Sequence, residues 1–136
     1  MIVGEADPDS TPMLKVSEIA FSTYPVTDMP RARAFYEGVL GLKPTYQVGE
    51  SGGMEWTEYD IGAGTLSIGV APGWLPSSHG CCVALEVEDF DAAMAHLKSQ
   101  QVAFKMEPFP TPVCRMAFVF DPDQNVICIH KRNCKC

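Results

Sequence analysis

Two side chains near the end of the chain and one nearer its middle could do chemistry together: Cys128 and His130 alternate with Ile127 and Ile129 in the run VICIH, and Cys82 follows Cys81 in the run CCVALEV. In an extended strand, residues two apart share a face, so Cys128 and His130 point the same way. Two thiols and an imidazole are soft ligands of the kind that hold zinc or copper(I), and a thiolate such as Cys82 is also a nucleophile or base. A cysteine in a strand is, however, more often a small buried hydrophobe, and both are read first as packed thiols. A second group lies in EWTEYD, where alternation puts Trp56, Glu58 and Asp60 on one face and Thr57, Tyr59 and Ile61 on the other. If the first face lines a pocket, Trp56 gives a stacking surface and Glu58 a cation anchor or general base; if not, Glu58 is a solvated rim residue. The catalytic candidates are therefore Glu58, Cys82 and Cys128. Arg115 could clamp a carboxylate or phosphate at a pocket mouth or be an ordinary surface arginine, and Glu86 shares the parity of Cys82 and Ala84. His79 and His96 are expected at the surface, and the Cys134-Lys135-Cys136 ending is expected to be an exposed tail.

The elements that must position these groups occur twice. Residues 1–12, with Asp7, Pro8, Asp9 and Pro12, show no apolar period and are expected to be a flexible extension. The run KVSEIAFSTYPVT reads as a strand, and Asp28 follows as a helix N-cap with Pro30 in the first turn. Ala32, Phe35, Tyr36, Val39 and Leu40 form one apolar stripe, which Gly41 ends, and three β-like segments follow to Val70. After a Pro- and Gly-bearing loop the order repeats: a strand from Cys81 to Val87, the N-cap Asp89, a helix with Phe90, Met94 and Leu97 inward, and three strands near 102–106, 114–120 and 126–130. An offset of 61 places Val26 on Val87, Asp28 on Asp89, Ala32 on Ala93, Asp60 on Asp121 and Ile68 on Ile129. It also places Gly64 on Asn125, two residue types that tolerate positive φ in a turn. The expectation is one α+β domain over 13–132, built of module 1 (13–72) and module 2 (79–132), each βαβββ, with 133–136 as a tail.

Composition narrows the function. A chain of 136 residues with 46% hydrophobic and 20% charged residues can bury a full core without disulfides, so its six cysteines are read as free thiols. A net charge of −7 with only ten scattered Lys and Arg argues against nucleic acid. No apolar run approaches the ~20 residues of a membrane span, and the first residues have neither a basic nor an apolar leader region, so a cytoplasmic location without a membrane partner is expected.

The segment YPVTDMPRARAFYEGVLGL, together with VALEVEDFDAAMAHL and FDPDQNVICI, resembles the vicinal oxygen chelate superfamily, which groups glyoxalase I, bleomycin-resistance proteins and extradiol dioxygenases; the match spans about 14–131. The resemblance implies a glyoxalase-like fold in which two βαβββ modules curl into a partial barrel around a cavity. In metal-dependent members, one side chain from the first and one from the last strand of each module meet there. Those positions fall on Phe21, Ser67, Cys82 and Cys128, where imidazole and carboxylate ligands would be expected. No cofactor is therefore expected, and a divalent metal only through a modified, thiol-containing site. The implied function is binding of a small organic molecule in a pocket that includes Phe21, Trp56, Glu58, Ser67, Cys82, Arg115, Cys128 and His130. The alternative is a lyase, isomerase or dioxygenase similar to glyoxalase I with a rearranged site. A homodimer is the expected assembly, with the loop GWLPSSHG, carrying Trp74 and Leu75, as a lid or a dimer contact.

Overall fold

The computed structural model describes residue 15 and residues 17–133; the expected extension 1–12 and the cysteines of the tail lie outside the described residues. The chain runs through β1 (Ser22–Pro25), α1 (Met29–Arg33) with a π-helical continuation Ala34–Val39, β2 (Pro44–Gly49), β3 (Glu55–Ile61) and β4 (Gly64–Val70). It then repeats the order as β5 (Val83–Glu86), α2 (Phe90–Ser99), β6 (Phe104–Pro110), β7 (Cys114–Phe120) and β8 (Val126–Arg132). Each module makes a four-stranded sheet in the same way, β1-β4-β3-β2 and β5-β8-β7-β6, with the first strand parallel to the last. The two βαβββ modules of the α+β fold are thus present as the repeat implied.

Local chemistry sets the helix starts. The Asp28 carboxylate accepts the Arg31 amide at 3.0 Å and Asp89 accepts that of Ala92 at 2.9 Å, each from an extended cap residue, so a first-turn donor is satisfied in both helices. Gly41 takes φ 76° after the first helix, a conformation that a Cβ disfavours. The expected single α-helix instead widens after Arg33: the Leu40 amide donates to the Phe35 carbonyl at 3.0 Å, five residues back. Phe35 and Tyr36 are both buried in this turn, edge to face with centroids 5.4 Å apart.

Three expectations of extent are corrected. The strand expected from Lys15 is formed only over Ser22–Pro25, where Leu66–Gly69 supplies a ladder; Ile19, upstream of it, is exposed. Likewise β5 begins at Val83, leaving Cys81 and Cys82 just ahead of it. Positive φ falls on Gly62 and Gln124 rather than on Gly64 and Asn125, because Asn125 is held by its side chain instead.

Each sheet buries one face under its own helix. Thr57, Tyr59, Leu66 and Ile68 pack against Met29 and Tyr36, and Ala117, Val119, Ile127 and Ile129 pack with Phe90, Met94 and Leu97 in the same core. Full burial of each large aliphatic is worth about 1.5–3 kcal/mol. The modules are joined by polar groups. The Tyr24 hydroxyl donates to the Val126 carbonyl at 2.8 Å and accepts the Val83 amide, and the Tyr36 hydroxyl donates to Asp121 at 2.8 Å. Asn125 Nδ2 donates to both the Pro25 carbonyl and Asp121. Burial raises the Asp121 carboxyl and both phenols above their ordinary values. Among the described residues no helix is long and apolar enough to cross a membrane.

Candidate functional site

Strand register decides which face of β3 is free. Trp56 lies opposite Gly69 and Glu58 opposite Ser67, while Thr57 and Tyr59 face α1; Trp56, Glu58, Ser67 and Gly69 therefore share the face that carries no helix. Phe21, immediately before β1, meets Trp56 edge to face with centroids 5.3 Å apart. Trp74, from the loop between modules, lies nearly parallel to Trp56 at 17° and 6.4 Å. Gly69 makes room for this: a Cβ there would fall 2.6 Å from Trp74 Cζ3 and 3.0 Å from Trp56 Cε3. Trp56 Nε1 donates to Glu58 at 2.8 Å, which pins the indole and occupies one carboxylate oxygen. A hollow of about 390 Å³ opens beside the two indoles, walled by Val48, Met54, Val70 and Ala71. Phe21, Tyr46 and Val48 remain exposed at 45%, 54% and 53%, unusual for large apolar groups gathered at one site.

The second module repeats the arrangement with different side chains. Cys128 lies between Ala84 and Phe118, and His130 between Glu86 and Met116, on the face away from α2. The Cys128 thiol is buried, and that burial pushes it up to about 11, with Cys82 and Cys114 nearby adding to the rise. Cys82 is exposed and lines a hollow of about 170 Å³ with Lys105, Met106 and Phe118. Lys105 Nζ donates to the Ser78 carbonyl, tying this hollow to the inter-module loop. Phe109 stacks on Phe118 at 6.3 Å and 14°. His130 Nδ1 is 2.6 Å from Glu86, whose second oxygen accepts the Arg132 amide at 2.8 Å. That amide, then the imidazole, holds the Glu86 carboxyl below its ordinary value.

The candidate residues thus divide between two sheet faces, with only Trp56 lining the first hollow and only Cys82 the second. Phe21, Trp56, Glu58 and Ser67 lie on the free face of module 1, and Cys82, Cys128 and His130 on that of module 2. Arg115 joins neither: it sits on the α2 side of β7, 2.7 Å from Asp91 and over the Phe90 ring at 4.4 Å. An odd-numbered residue on β7 points with Ala117 and Val119 into the helix side, which removes it from the pocket it was expected to serve. His79 is exposed, and His96 is an exposed residue that hydrogen-bonds the Val39 carbonyl at 2.8 Å. Larger hollows of about 610 and 700 Å³ border α1 and the β2–β3 hairpin. In the former, Arg33 is taken up by Glu37 and Gln47.

The four family metal positions do not form a ligand set. Phe21 has no donor atom and the Ser67 hydroxyl is buried and directed at the Ser22 carbonyl, which leaves two thiols, the exposed Cys82 and the buried Cys128. Among the described residues, no group of three or more His, Cys, Asp or Glu is placed to hold a metal ion. Sequence reasoning missed the contributions of Gly69, Phe118 and Lys105. A glycine within a strand is a signal of close approach, but nothing local says that a tryptophan from a distant loop fills the space.

No curated protein matches the chain. Solved structures do: the antibiotic binding protein TnmS3 from Streptomyces sp. CB03234 is 27% identical, with a TM-score of 0.71 over 88% of this chain and 99% of that one. The fosfomycin resistance protein FosX from Listeria monocytogenes shares the fold at 18% identity, with a TM-score of 0.71 over 85% of this chain and 94% of its own. A superfamily member from Sphaerobacter thermophilus is 22% identical, with a TM-score of 0.69 over 87% and 99% of the two chains. The sequence profile that matches residues 18–129 is the one that unites such proteins, and the chain belongs to the Glyoxalase/Bleomycin resistance protein/Dioxygenase superfamily.

Proposed function

We propose that this protein binds a small, largely apolar planar molecule on the helix-free faces of its modules and sequesters it, without a metal and without transforming it. The observation that carries this is the Phe21–Trp56–Trp74 cluster: three aromatic rings, held by Glu58 and by the missing side chain of Gly69, with Phe21 at a position where the resemblance implies a metal ligand. Such a surface gains energy by stacking and area burial, and it has no polarising centre. The likeness to an antibiotic binding protein supports the same function.

Each hollow is lined by residues of one module with the loop between them, and apolar groups on both free faces stay open to solvent. A second copy of the chain is the partner that would cover them. Every residue of β2 is exposed, including Tyr46 and Val48, so this edge strand offers the contact. The protein is then a cytoplasmic homodimer with composite cavities.

The catalytic alternative has one supporting observation, that Lys105 and the exposed Cys82 line the same hollow. Both functions are tested together. Trp56 and Trp74 are the only tryptophans, so indole fluorescence reports the site alone. Titration with planar aromatic antibiotics should quench it, and Trp56→Ala should weaken binding by about tenfold or more, in line with ~1–3 kcal/mol per stacked ring. The recovered ligand should be chemically unchanged. Stoichiometric zinc, copper, iron or nickel that is lost in a Cys82→Ala, Cys128→Ala double variant, or turnover that requires Cys82, would replace sequestration with catalysis.

A further inference from the structure

The pair Glu86–His130 sits outside the aromatic cluster and outside the four family positions, yet on the free face of module 2. One oxygen of Glu86 is 2.6 Å from His130 Nδ1, and the other accepts the Arg132 amide at 2.8 Å; the Arg132 guanidinium stands 3.7 Å from the first. An ionised carboxylate can only accept, so the hydrogen between the two side chains belongs to Nδ1. With the hydrogen on Nδ1, the neutral form of the ring has its lone pair on Nε2, for which the described residues supply no partner. The side chain of His130 is 23% exposed, so this nitrogen is reachable while the ring is held.

What surrounds it is apolar. Met116 lies directly across β7, and Phe118, stacked on Phe109, lies two residues further along, a distance of about 7 Å on a strand. The charged or titratable neighbours on this face are Glu86 from β5, Cys128 and Arg132 from β8, Cys114 from β7, Cys82 just ahead of β5 and Lys105 of β6, and none of them offers a second imidazole acceptor. A flat ring resting on Phe118 and Met116 would bring a substituent at its edge to Nε2.

We infer that Glu86 and His130 form a fixed hydrogen-bond acceptor for a hydroxyl on the rim of a planar ligand, so that this face prefers phenols and enols to their ethers. This deepens, and rests on, the ligand-binding function proposed above. Glu86 is a positioning residue in it: by fixing the tautomer it turns a group that could donate or accept into an acceptor. An acceptor that the ligand covers and that an ether leaves unpaired is the penalty that gives the preference.

The test compares 7-hydroxycoumarin with 7-methoxycoumarin by calorimetry on the full-length protein. The hydroxyl compound should bind about tenfold more tightly. Glu86→Gln should abolish that preference, because the new amide donates to Nδ1 and moves the ring hydrogen to Nε2, where a methoxy oxygen can accept it. His130→Phe should do the same by removing the acceptor. Long-range proton–nitrogen correlation spectra, assigned with His130→Phe, should show a bare Nε2 in wild type and a protonated one in Glu86→Gln. Equal affinity for the two coumarins in wild type, or an Nε2-protonated ring there, overturns the acceptor and leaves sequestration standing. If neither coumarin binds, sequestration of planar aromatics itself fails and the inference with it.

Discussion

Trp74 crosses from the loop between modules to lie almost parallel to Trp56, over a backbone position, Gly69, that has no side chain to keep it away. Gly69→Ala should therefore disturb the pair without touching either ring chemically. Added volume in a packed place costs about 1–3 kcal/mol, so the midpoint of urea unfolding should fall modestly. Indole emission should shift and planar ligands should bind at least tenfold more weakly. An alanine variant with wild-type emission and affinity would show that Trp74 is not part of the site.

The modules are held together by a buried polar join, so its loss should loosen the whole protein rather than one half. Tyr36→Phe removes one donor from Asp121 while Asn125 remains, and should cost about 1–2 kcal/mol. Asn125→Ala strips donors from both the Pro25 carbonyl and Asp121, and should cost about 2–3 kcal/mol. Chemical denaturation followed by fluorescence distinguishes them; equal, negligible losses would mean that apolar packing alone joins the modules.

Thiol reactivity should separate by position. Cys81 and Cys82 are exposed, whereas Cys114 and Cys128 are buried. Near pH 8 a thiol reagent should therefore modify Cys81 and Cys82 at once in the native protein, and Cys114 and Cys128 only on unfolding, as peptide mass mapping would show.

Alkaline stability follows from the same burial. The folded protein holds the Cys128 proton up to about 11, above the ordinary thiol value of 9.0. Its contribution is complete below that ordinary value and is lost as pH rises through the folded value, because only the unfolded chain releases the proton early. Tyr24 and Tyr36 are also raised and act with the same sign. Unfolding free energy should decline from about pH 9 upward, and less steeply in Cys128→Ala. A stability that rose across that range would contradict the buried thiol.

Assembly can be read directly. Sedimentation should give a dimer, and Val48→Glu, which places a charge on the exposed apolar edge of module 1, should shift it toward monomer and weaken planar ligands. A monomeric wild type that still binds such ligands would confine the site to one chain.

The sequence by itself determined the architecture. Two aspartate caps, two apolar stripes and an offset of 61 are local or periodic signals, and each reports hydrogen bonding or burial that the chain must satisfy wherever it folds. The assignment of Phe21, Ser67, Cys82 and Cys128 to the metal positions came from the family resemblance, with which the offset of 61 agrees. Tertiary structure alone decided the rest. The free face of β3 depended on which side α1 would cover, because alternation defines two faces without naming the inner one. Arg115 went to the helix side for the same reason. Trp74 and Trp56 are brought together by a loop, and Glu86 and His130 by a parallel pairing across 44 residues of chain. Contacts of that range carry no local spacing, so only the folded chain brings these side chains together.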